Sequence, residues 1–302
     1  MNHEGHGRPC FFKFAGLEAA ARIIDGQSLK WSSAVEFNDP FDHQAGFRLD
    51  IDENAFADLL TASMMRIIFT DVAVGVGASP SFTELLICMR GMRGHFSKEA
   101  IQADFQTSSL QVARNITESI ASFNEAIRVH LLNSRVLCVT EDVDNVVMWS
   151  HYAEQHRGVA FQLGCLPHLD NRLLAAKPVE YTEEFIAFPG AAEYAKHLTG
   201  ESSIDIAQLV WKIAYTKHRD WAYEREWRVH IPLLDERPST NVSIYTEPPE
   251  IFQAMYLGCR MPSAEREHLI SLARARLPTM NIYQAQLASR SFNLEFVSLD
   301  GA

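Results

Sequence analysis

An acidic and aromatic segment, WAYEREWRVHI over residues 221–231, carries the groups best suited to chemistry. Side chains on an extended strand alternate between its two faces. Four ionisable groups are therefore expected on one face: Glu224, Glu226, Arg228 and His230. Trp227 begins the opposite, apolar face and is expected in the core. Because apolar surroundings raise the pKa of a carboxylate, this is a candidate catalytic strand. A solvated strand face with cross-strand ion pairs is the structural alternative.

A second polar cluster lies in residues 145–158, NVVMWSHYAEQHRG, where a helix including residues 148–155 is expected. Successive residues of a helix are about 100° apart, so Tyr152 and His151 point in different directions. His151 and His156 are five residues apart, a spacing that does not suit two metal ligands on one helix. Tyr152 and His151 are candidates for ligand contact, and satisfied core residues are the alternative.

The segment Asn38-Asp39-Pro40-Phe41-Asp42 combines two carboxylates with turn-forming residues. Carboxylate oxygens could hold a divalent cation. They also cap turns and helices, and this is the favoured interpretation. The sequence lacks a phosphate-binding glycine loop, a zinc-peptidase helix motif and a serine-hydrolase elbow. We therefore expect no resident metal.

The elements that must position these groups alternate between strand and helix patterns. Strands are predicted near residues 11–14, 28–33, 135–140, 159–163 and 225–231. The periodicity between residues 52 and 133 is helical, whereas residues 238–249 are rich in proline and are predicted to form a surface loop. The pattern predicts a single α+β domain over residues 11–298, with a central, mostly antiparallel sheet covered by a helical insertion at about 52–133.

The composition excludes several classes of protein. The 302 residues include 27 Lys and Arg against 38 Asp and Glu, a net charge of −11, so a nucleic-acid partner would need a local basic patch. Five cysteines without C-x-x-C spacing are expected to be reduced thiols. No signal-peptide pattern or membrane-length apolar run is present, so we expect a cytoplasmic protein with no membrane partner.

Four ordered motifs together resemble a bacterial family of domains of unknown function, number two-nine-seven-one of its series. The family pattern is an aromatic-Lys-aromatic strand, then F-N-D-P-F-[DE], then M-W-S-H-Y-A with H-x-G, then K…W-x-Y-E-x-E-W-R. The matching segments are residues 12–14, 37–42, 148–158 and 217–228. The resemblance spans about residues 11–298. It names no reaction, because the family has no settled activity.

The order of elements also resembles the ADP-ribosyltransferase fold. In that superfamily a His or Arg on the first strand contacts NAD, a Tyr or Ser follows on a later strand–helix unit, and a Glu lies on a subsequent strand. Here Lys13 stands where that His or Arg would be. Lys13, Tyr152 and Glu226 occur in this order. The resemblance implies an ADP-ribosyltransferase-like sheet, NAD as the substrate, and mono-ADP-ribosyl transfer to an unknown acceptor by a toxin or defence effector.

The chemistry of that reaction suggests a role for each candidate. Cleavage of the nicotinamide–ribose bond builds positive charge on the ribose, which Glu226 would stabilise. Glu224 would orient or deprotonate the acceptor. Tyr152 would stack on nicotinamide, and Lys13 would receive the pyrophosphate or adenosine ribose. Further candidates for cofactor contact are His151, Arg157 and Arg228.

Two other functions remain open at this level. A metal-dependent hydrolase or nuclease could use four ligands: Asp39, Asp42, His151 and Glu226. A chelator would abolish its activity. A non-catalytic nucleotide-binding or interaction protein would bind the same ligand without turnover.

Overall fold

The computed structural model describes residues 6–43, 52–70, 72, 79–187, 189–233 and 240–300. The strands are β1 (Cys10–Ala15), β2 (Ser28–Ser32), β3 (Ser134–Thr140), β4 (Val159–Gly164), β5 (Lys177–Pro178), β6 (Glu180–Thr182), β7 (Thr216–His218), β8 (Glu226–Pro232), β9 (Val242–Thr246), β10 (Phe252–Leu257), β11 (Asn281–Leu287) and β12 (Leu294–Ser298). The helices are α1 (Leu17–Gly26), α2 (Glu53–Phe69), α3 (Pro80–Gly91), α4 (Lys98–Leu132), α5 (Val146–Tyr152), α6 (Ala191–Leu198), α7 (Ile206–Ala214) and α8 (Ser263–Arg276).

Two compact units account for these elements. The sheet unit consists of the described residues of Met1–His43, His130–Glu183 and Tyr215–Ala302. The helical unit consists of those of Gln44–Val129 and Glu184–Ala214. It thus includes a segment C-terminal to the predicted insertion as well as most of the insertion, whose last residues, 130–133, belong to the sheet unit. The single domain predicted over residues 11–298 stays a prediction.

The sheet unit contains a ten-stranded sheet in the order β12-β11-β10-β4-β1-β3-β2-β9, and β8 pairs with β3 and β5. Among the described residues, β10 and β11 form the one parallel pair of this sheet. This confirms the prediction of a mixed helix and strand fold with a mostly antiparallel sheet. All five strands predicted from the sequence are present, within one residue at each end.

Strand β3 has one fully paired edge and one interrupted edge. It pairs with β8 from Ser134 to Thr140. On the other edge the strand pairs are Phe12 with Thr140 in β1 and Ser32 with Val136 in β2. The gap between them, bounded by residues 12–14 of β1 and 30–32 of β2, is the β1–β2 wedge. An incompletely paired edge leaves backbone groups that side chains or ligands can satisfy.

In the sheet unit, apolar clusters pack against both faces of the sheet. A large apolar cluster includes Phe11, Trp31 and Phe161, each fully buried. A smaller cluster packs Trp149 of α5 against Phe14 of β1, with ring centroids 5.2 Å apart. These contacts fix α5 beside the wedge. Trp227 was expected in the core and is half-buried, packed on the larger cluster.

Helix α5 is shorter than the predicted helix over residues 148–155. It ends at Tyr152, and the backbone of residues 154–156 is left-handed, with φ between 51° and 67°. Gly158 then brings β4 close to β1, since a Cβ there would lie 2.2 Å from the carbonyl oxygen of Ala15. A substitution at Gly158 would therefore push the two strands apart.

The helical unit has a core of its own. Its buried side chains come from α2, α3, α4 and α6 and include Phe56, Ile67, Leu86, Ala113 and Ala195. None of the described helices is long and apolar enough to cross a membrane.

Part of the loop predicted over residues 238–249 is a strand. Residues 242–246 form β9 and pair with β2, from Ser28 with Thr246 to Ser32 with Val242. The prediction was wrong there because flanking prolines mark the ends of an edge strand as well as a loop. Residues 238 and 239 lie outside the described residues.

Candidate functional site

A cavity of about 240 Å³ opens at the β1–β2 wedge. Its walls come from β1, β2, β3, α5 and the chain around β7 and β8. Four of the residues to which the ADP-ribosyltransferase resemblance gave a role line it: Lys13, Tyr152, Glu224 and Glu226. Further lining side chains are Phe12, Phe14, Lys30, Ser32, Glu36, Phe37, Asn38, Asp42, Val136, Cys138, Val139, Thr140, Met148 and Lys217. The sheet unit thus brings distant candidates to one cavity.

Arg228 forms the centre of a buried ion-pair network beside this cavity. Its Nε donates to Glu226 Oε1 at 2.7 Å, and its Nη2 donates to Glu226 Oε2 at 2.9 Å. On the other side its Nη1 and Nη2 donate to the two oxygens of Asp42 at 2.8 and 2.5 Å. The side chain of Arg228 is fully buried. A guanidinium can bind two carboxylates in this forked geometry, which an ammonium group cannot copy.

Lys217 is the central residue of β7 and joins the network to the second glutamate. Its Nζ donates to Glu224 Oε2 at 2.6 Å and to Glu226 Oε2 at 3.2 Å, and it lies 3.8 Å from Asp42 Oδ2. The Trp221 ring lies 4.7 Å from the same Nζ. Five buried charged residues therefore form one group, the charge cluster: Asp42, Lys217, Glu224, Glu226 and Arg228.

The prediction that Glu224 lies on an extended strand and shares a face with Glu226 is wrong. Glu224 ends a short 3-10 turn, Arg219–Glu224, and β8 begins at Glu226. Between them Arg225 has left-handed backbone, with φ of 43°. Strand alternation therefore does not set the direction of Glu224, although both glutamates reach Lys217. The predicted strand face is also buried rather than solvated.

Tyr152 connects α5 to the charge cluster. Its hydroxyl donates to Glu224 Oε1 at 2.5 Å and accepts a hydrogen bond from Asn38 Nδ2 at 3.0 Å. Asn145 caps the start of α5 by accepting from the N–H groups of Val147 and Met148. This cap helps to fix α5 and so the position of Tyr152.

His151 and Arg157, the other two candidates for cofactor contact, are exposed and do not line the cavity. The Nδ1 of His151 lies 2.9 Å from the hydroxyl of Tyr223, and Arg157 Nε donates to the carbonyl of Glu154 at 3.3 Å. The His151 ring packs edge-on against the ring of Tyr152, with centroids 6.2 Å apart, but both His151 and Arg157 lie outside the cavity lining.

The two carboxylates of the segment Asn38–Asp42 have different roles. Asp39 Oδ1 accepts from the N–H of Phe41 at 2.9 Å, the turn-capping role that the sequence favoured. Asp42 instead pairs with Arg228. Among the described residues there is no group of three or more His, Cys, Asp or Glu that could hold a metal ion. Where Asp42 and Glu226 approach each other, the guanidinium of Arg228 takes the place that a divalent cation would need.

Residues 148–229 match a known protein family. Its model is described as Protein of unknown function (DUF2971). The predicted resemblance to this family is confirmed over that segment. No curated protein and no solved structure matches the chain. The DUF2971 segment contains Tyr152 and four members of the charge cluster, whereas Lys13 and Asp42 lie outside it.

The two glutamates of the DUF2971 segment have different acidities. Burial raises the pKa of Glu226, but Arg228 and Lys217 outweigh burial and lower it to about 2. Burial and the adjacent charge of Glu226 raise the pKa of Glu224. Burial and the charge of Glu224 also raise the pKa of Tyr152, so its phenol stays protonated. Carboxylates whose environments push their pKa values apart can take different chemical roles.

We expect the lowered pKa of Glu226 to make the protein sensitive to acid. The ordinary pKa of a glutamate is 4.5, and that of Glu226 is about 2. As the pH falls below 4.5, Glu226 becomes protonated in the unfolded chain, whereas in the folded protein it stays ionised until the pH approaches its lowered pKa of about 2. The free energy of unfolding should therefore fall between about pH 4.5 and 2, by on the order of 3 kcal/mol from this residue.

Urea denaturation at several pH values in this window measures the effect. Glu226→Gln should be less stable at neutral pH but should lose less stability on acidification than the parent. Equal losses in the two proteins would show that Glu226 is not the residue responsible.

Sequence reasoning did not give Lys217 or Asn38 a role. Lys217 is part of the family motif quoted above, but an isolated lysine seven residues before Glu224 gives no sign of burial. A usable signal was present at Glu226 and Arg228, which are two apart on one strand, with Trp227 between them and Val229 after Arg228. Buried charges need partners, and this pattern calls for a second acid such as Asp42.

Proposed function

We propose that the cavity binds the nicotinamide ribose of NAD and that the protein is a mono-ADP-ribosyltransferase-like enzyme. The carrying observation is that Lys13, Tyr152, Glu224 and Glu226, widely separated in sequence, line one cavity. A dry cavity of about 150 Å³ holds a benzene ring. The volume here, about 240 Å³, suits a ring with part of a sugar, so the rest of the dinucleotide would extend out of the cavity.

The geometry favours an exchange of the roles that the sequence suggested for the two glutamates. Both oxygens of Glu226 accept hydrogen bonds from Arg228, and one also accepts from Lys217. Glu224 Oε1 is held by the Tyr152 hydroxyl, which a ribose hydroxyl could replace. We therefore assign Glu224 to stabilise the positive charge on the ribose and Glu226 to position Lys217 and Arg228.

Tyr152 supports this assignment, whereas Cys138 is excluded as the attacking group. Before substrate binds, the phenol of Tyr152 holds Glu224 in place, and its ring borders the space where nicotinamide would stack. The Cys138 thiol also lines the cavity, but burial raises its pKa and keeps it protonated. Since the thiolate is the nucleophilic form, Cys138 is not proposed to attack the ribose.

A non-catalytic nucleotide-binding protein is the second candidate. It is favoured by the fact that all four carboxylate oxygens of Asp42 and Glu226 already have partners. Such a saturated network would shape a binding cavity without taking part in a reaction.

The transferase and the binding protein can be distinguished by incubating purified protein with NAD, both alone and with cell extract as a source of acceptors. The transferase proposal predicts that nicotinamide is released, as measured by chromatography. Binding of NAD without release would favour the binding protein. The absence of both binding and release would contradict both proposals.

A further inference from the structure

Among the described residues, two lysines at the β1–β2 wedge have no ionic partner. Lys13 Nζ donates to the carbonyl of Cys138 at 2.8 Å, and Lys30, an exposed residue of β2, lines the same cavity. Within the described part of the chain, neither has a carboxylate oxygen within 4.0 Å. An ammonium group has three donors, so Lys13 keeps two beyond its bond to Cys138.

The other cations near the cavity are neutralised. Lys217 and Arg228 are shared among the three carboxylates of the charge cluster. Glu36 also lines the cavity, but it is exposed and accepts from Asn241 Nδ2 at 3.2 Å. The cavity therefore has one end with internally paired charges and one end with two cations that have no carboxylate partner in the described ranges.

The strand register brings the two lysines to the same level of β3. Ser32 pairs with Val136, and continuing this antiparallel register places Lys30 opposite Cys138. Lys13 reaches the carbonyl of Cys138 from β1. Lys30 and Ser32 are two residues apart and so share a face of β2. The wedge thus has an ammonium group on each side and a hydroxyl beside one of them.

We propose that the wedge binds the pyrophosphate of the nucleotide substrate, with Lys13, Lys30 and Ser32 as its binding residues. Lysine ammonium groups act as point charges for phosphate, and two separate ones match a group with two negative charges. This inference rests on the proposed function for the remainder of the ligand, whose ribose would lie toward Glu224. It restricts the ligand to a phosphate-bearing nucleotide, because a nucleoside would leave both cations unpaired.

Titration calorimetry with inorganic pyrophosphate tests this subsite without any reaction. The full chain should bind pyrophosphate, and binding should weaken as salt is added because the contacts are ionic. Lys30→Ala should weaken it by about tenfold or more, as expected for a lost charge-assisted hydrogen bond. Lys212→Ala removes an exposed lysine of α7 and should leave the affinity unchanged.

Lys30 is the residue to change first because it is exposed, so its removal should leave the fold intact. Lys13→Ala also removes the bond to the Cys138 carbonyl, and its thermal melting should be compared with the parent. In competition with pyrophosphate, NAD and ADP-ribose should displace the probe, whereas nicotinamide riboside should not.

The outcomes distinguish this inference from the proposed function. Failure of the parent to bind pyrophosphate, or equal affinities in Lys30→Ala and Lys212→Ala, would overturn the inference. If nicotinamide is not released but pyrophosphate binding depends on Lys30, the transferase proposal fails and the subsite stands. If nicotinamide is released and Lys30→Ala leaves the KM for NAD unchanged, the subsite is wrong and the transferase proposal stands.

Discussion

Glu224→Gln is expected to reduce nicotinamide release by about 100- to 1,000-fold, the usual cost of removing one well-placed charge-stabilising group. Glutamine has nearly the same shape, and its amide oxygen can still accept from Lys217. Its NH₂ group can donate to the Tyr152 hydroxyl, which now donates to Glu224. The change should therefore remove the negative charge beside the ribose without unfolding the protein.

A control and a second readout show whether the effect is chemical. Glu180→Gln changes an exposed glutamate of β6 in the same unit and should leave the rate unchanged. The affinity for NAD should change much less than the rate, because the charge of Glu224 acts mainly on the transition state. Full activity in Glu224→Gln would contradict its assigned role, and activity lost only in Glu226→Gln would restore the original order of the two glutamates.

Arg228→Ala is expected to lower the free energy of unfolding by about 3–5 kcal/mol, because removing one partner of a buried ion pair leaves the others unpaired. Asp42 and Glu226 would each lose two hydrogen bonds and would face each other with Lys217 as the remaining cation. Denaturant unfolding monitored by tryptophan fluorescence measures the loss.

Arg225 offers a matched control three residues away. It is exposed and pairs with Asp142 at 3.2 Å, so Arg225→Ala should cost less than about 1 kcal/mol. The double variant Arg228→Met with Asp42→Asn should be more stable than the sum of the single changes predicts, because it removes two opposite buried charges together. A loss below 1 kcal/mol in Arg228→Ala would show that the charge cluster is not stabilising.

The sequence predicts those strands and helices whose local hydrophobic pattern matches their burial in the folded protein. Strands β1, β3 and β4 were found because apolar runs between turn residues are typical of buried strands. Strand β9 was missed because its ends carry prolines, and its pairing with β2 joins residues more than two hundred positions apart. The local sequence pattern contains no information about a pairing partner so far away in the chain.

In the candidate site too, some features could be predicted from local sequence and others depend on the folded structure. Tyr152 and Glu226 were singled out by residue type and order, and both line the cavity. The direction of Glu224 depends on one left-handed residue, Arg225, and an arginine does not signal this backbone conformation. The acidities of the two glutamates depend on Arg228, Lys217 and burial, which are properties of the assembled structure.

The pairing of β1 has a consequence for biosynthesis. Its partners on either side are β4 and β3, and the Lys13–Cys138 bond alone spans 125 residues. Translation adds roughly 5–20 residues per second, so the apolar Phe11, Phe12 and Phe14 wait on the order of ten seconds before both partners emerge. During synthesis this strand is an unpaired apolar segment that a chaperone can bind, and it can pair on both sides only after Gly164, the last residue of β4, has emerged.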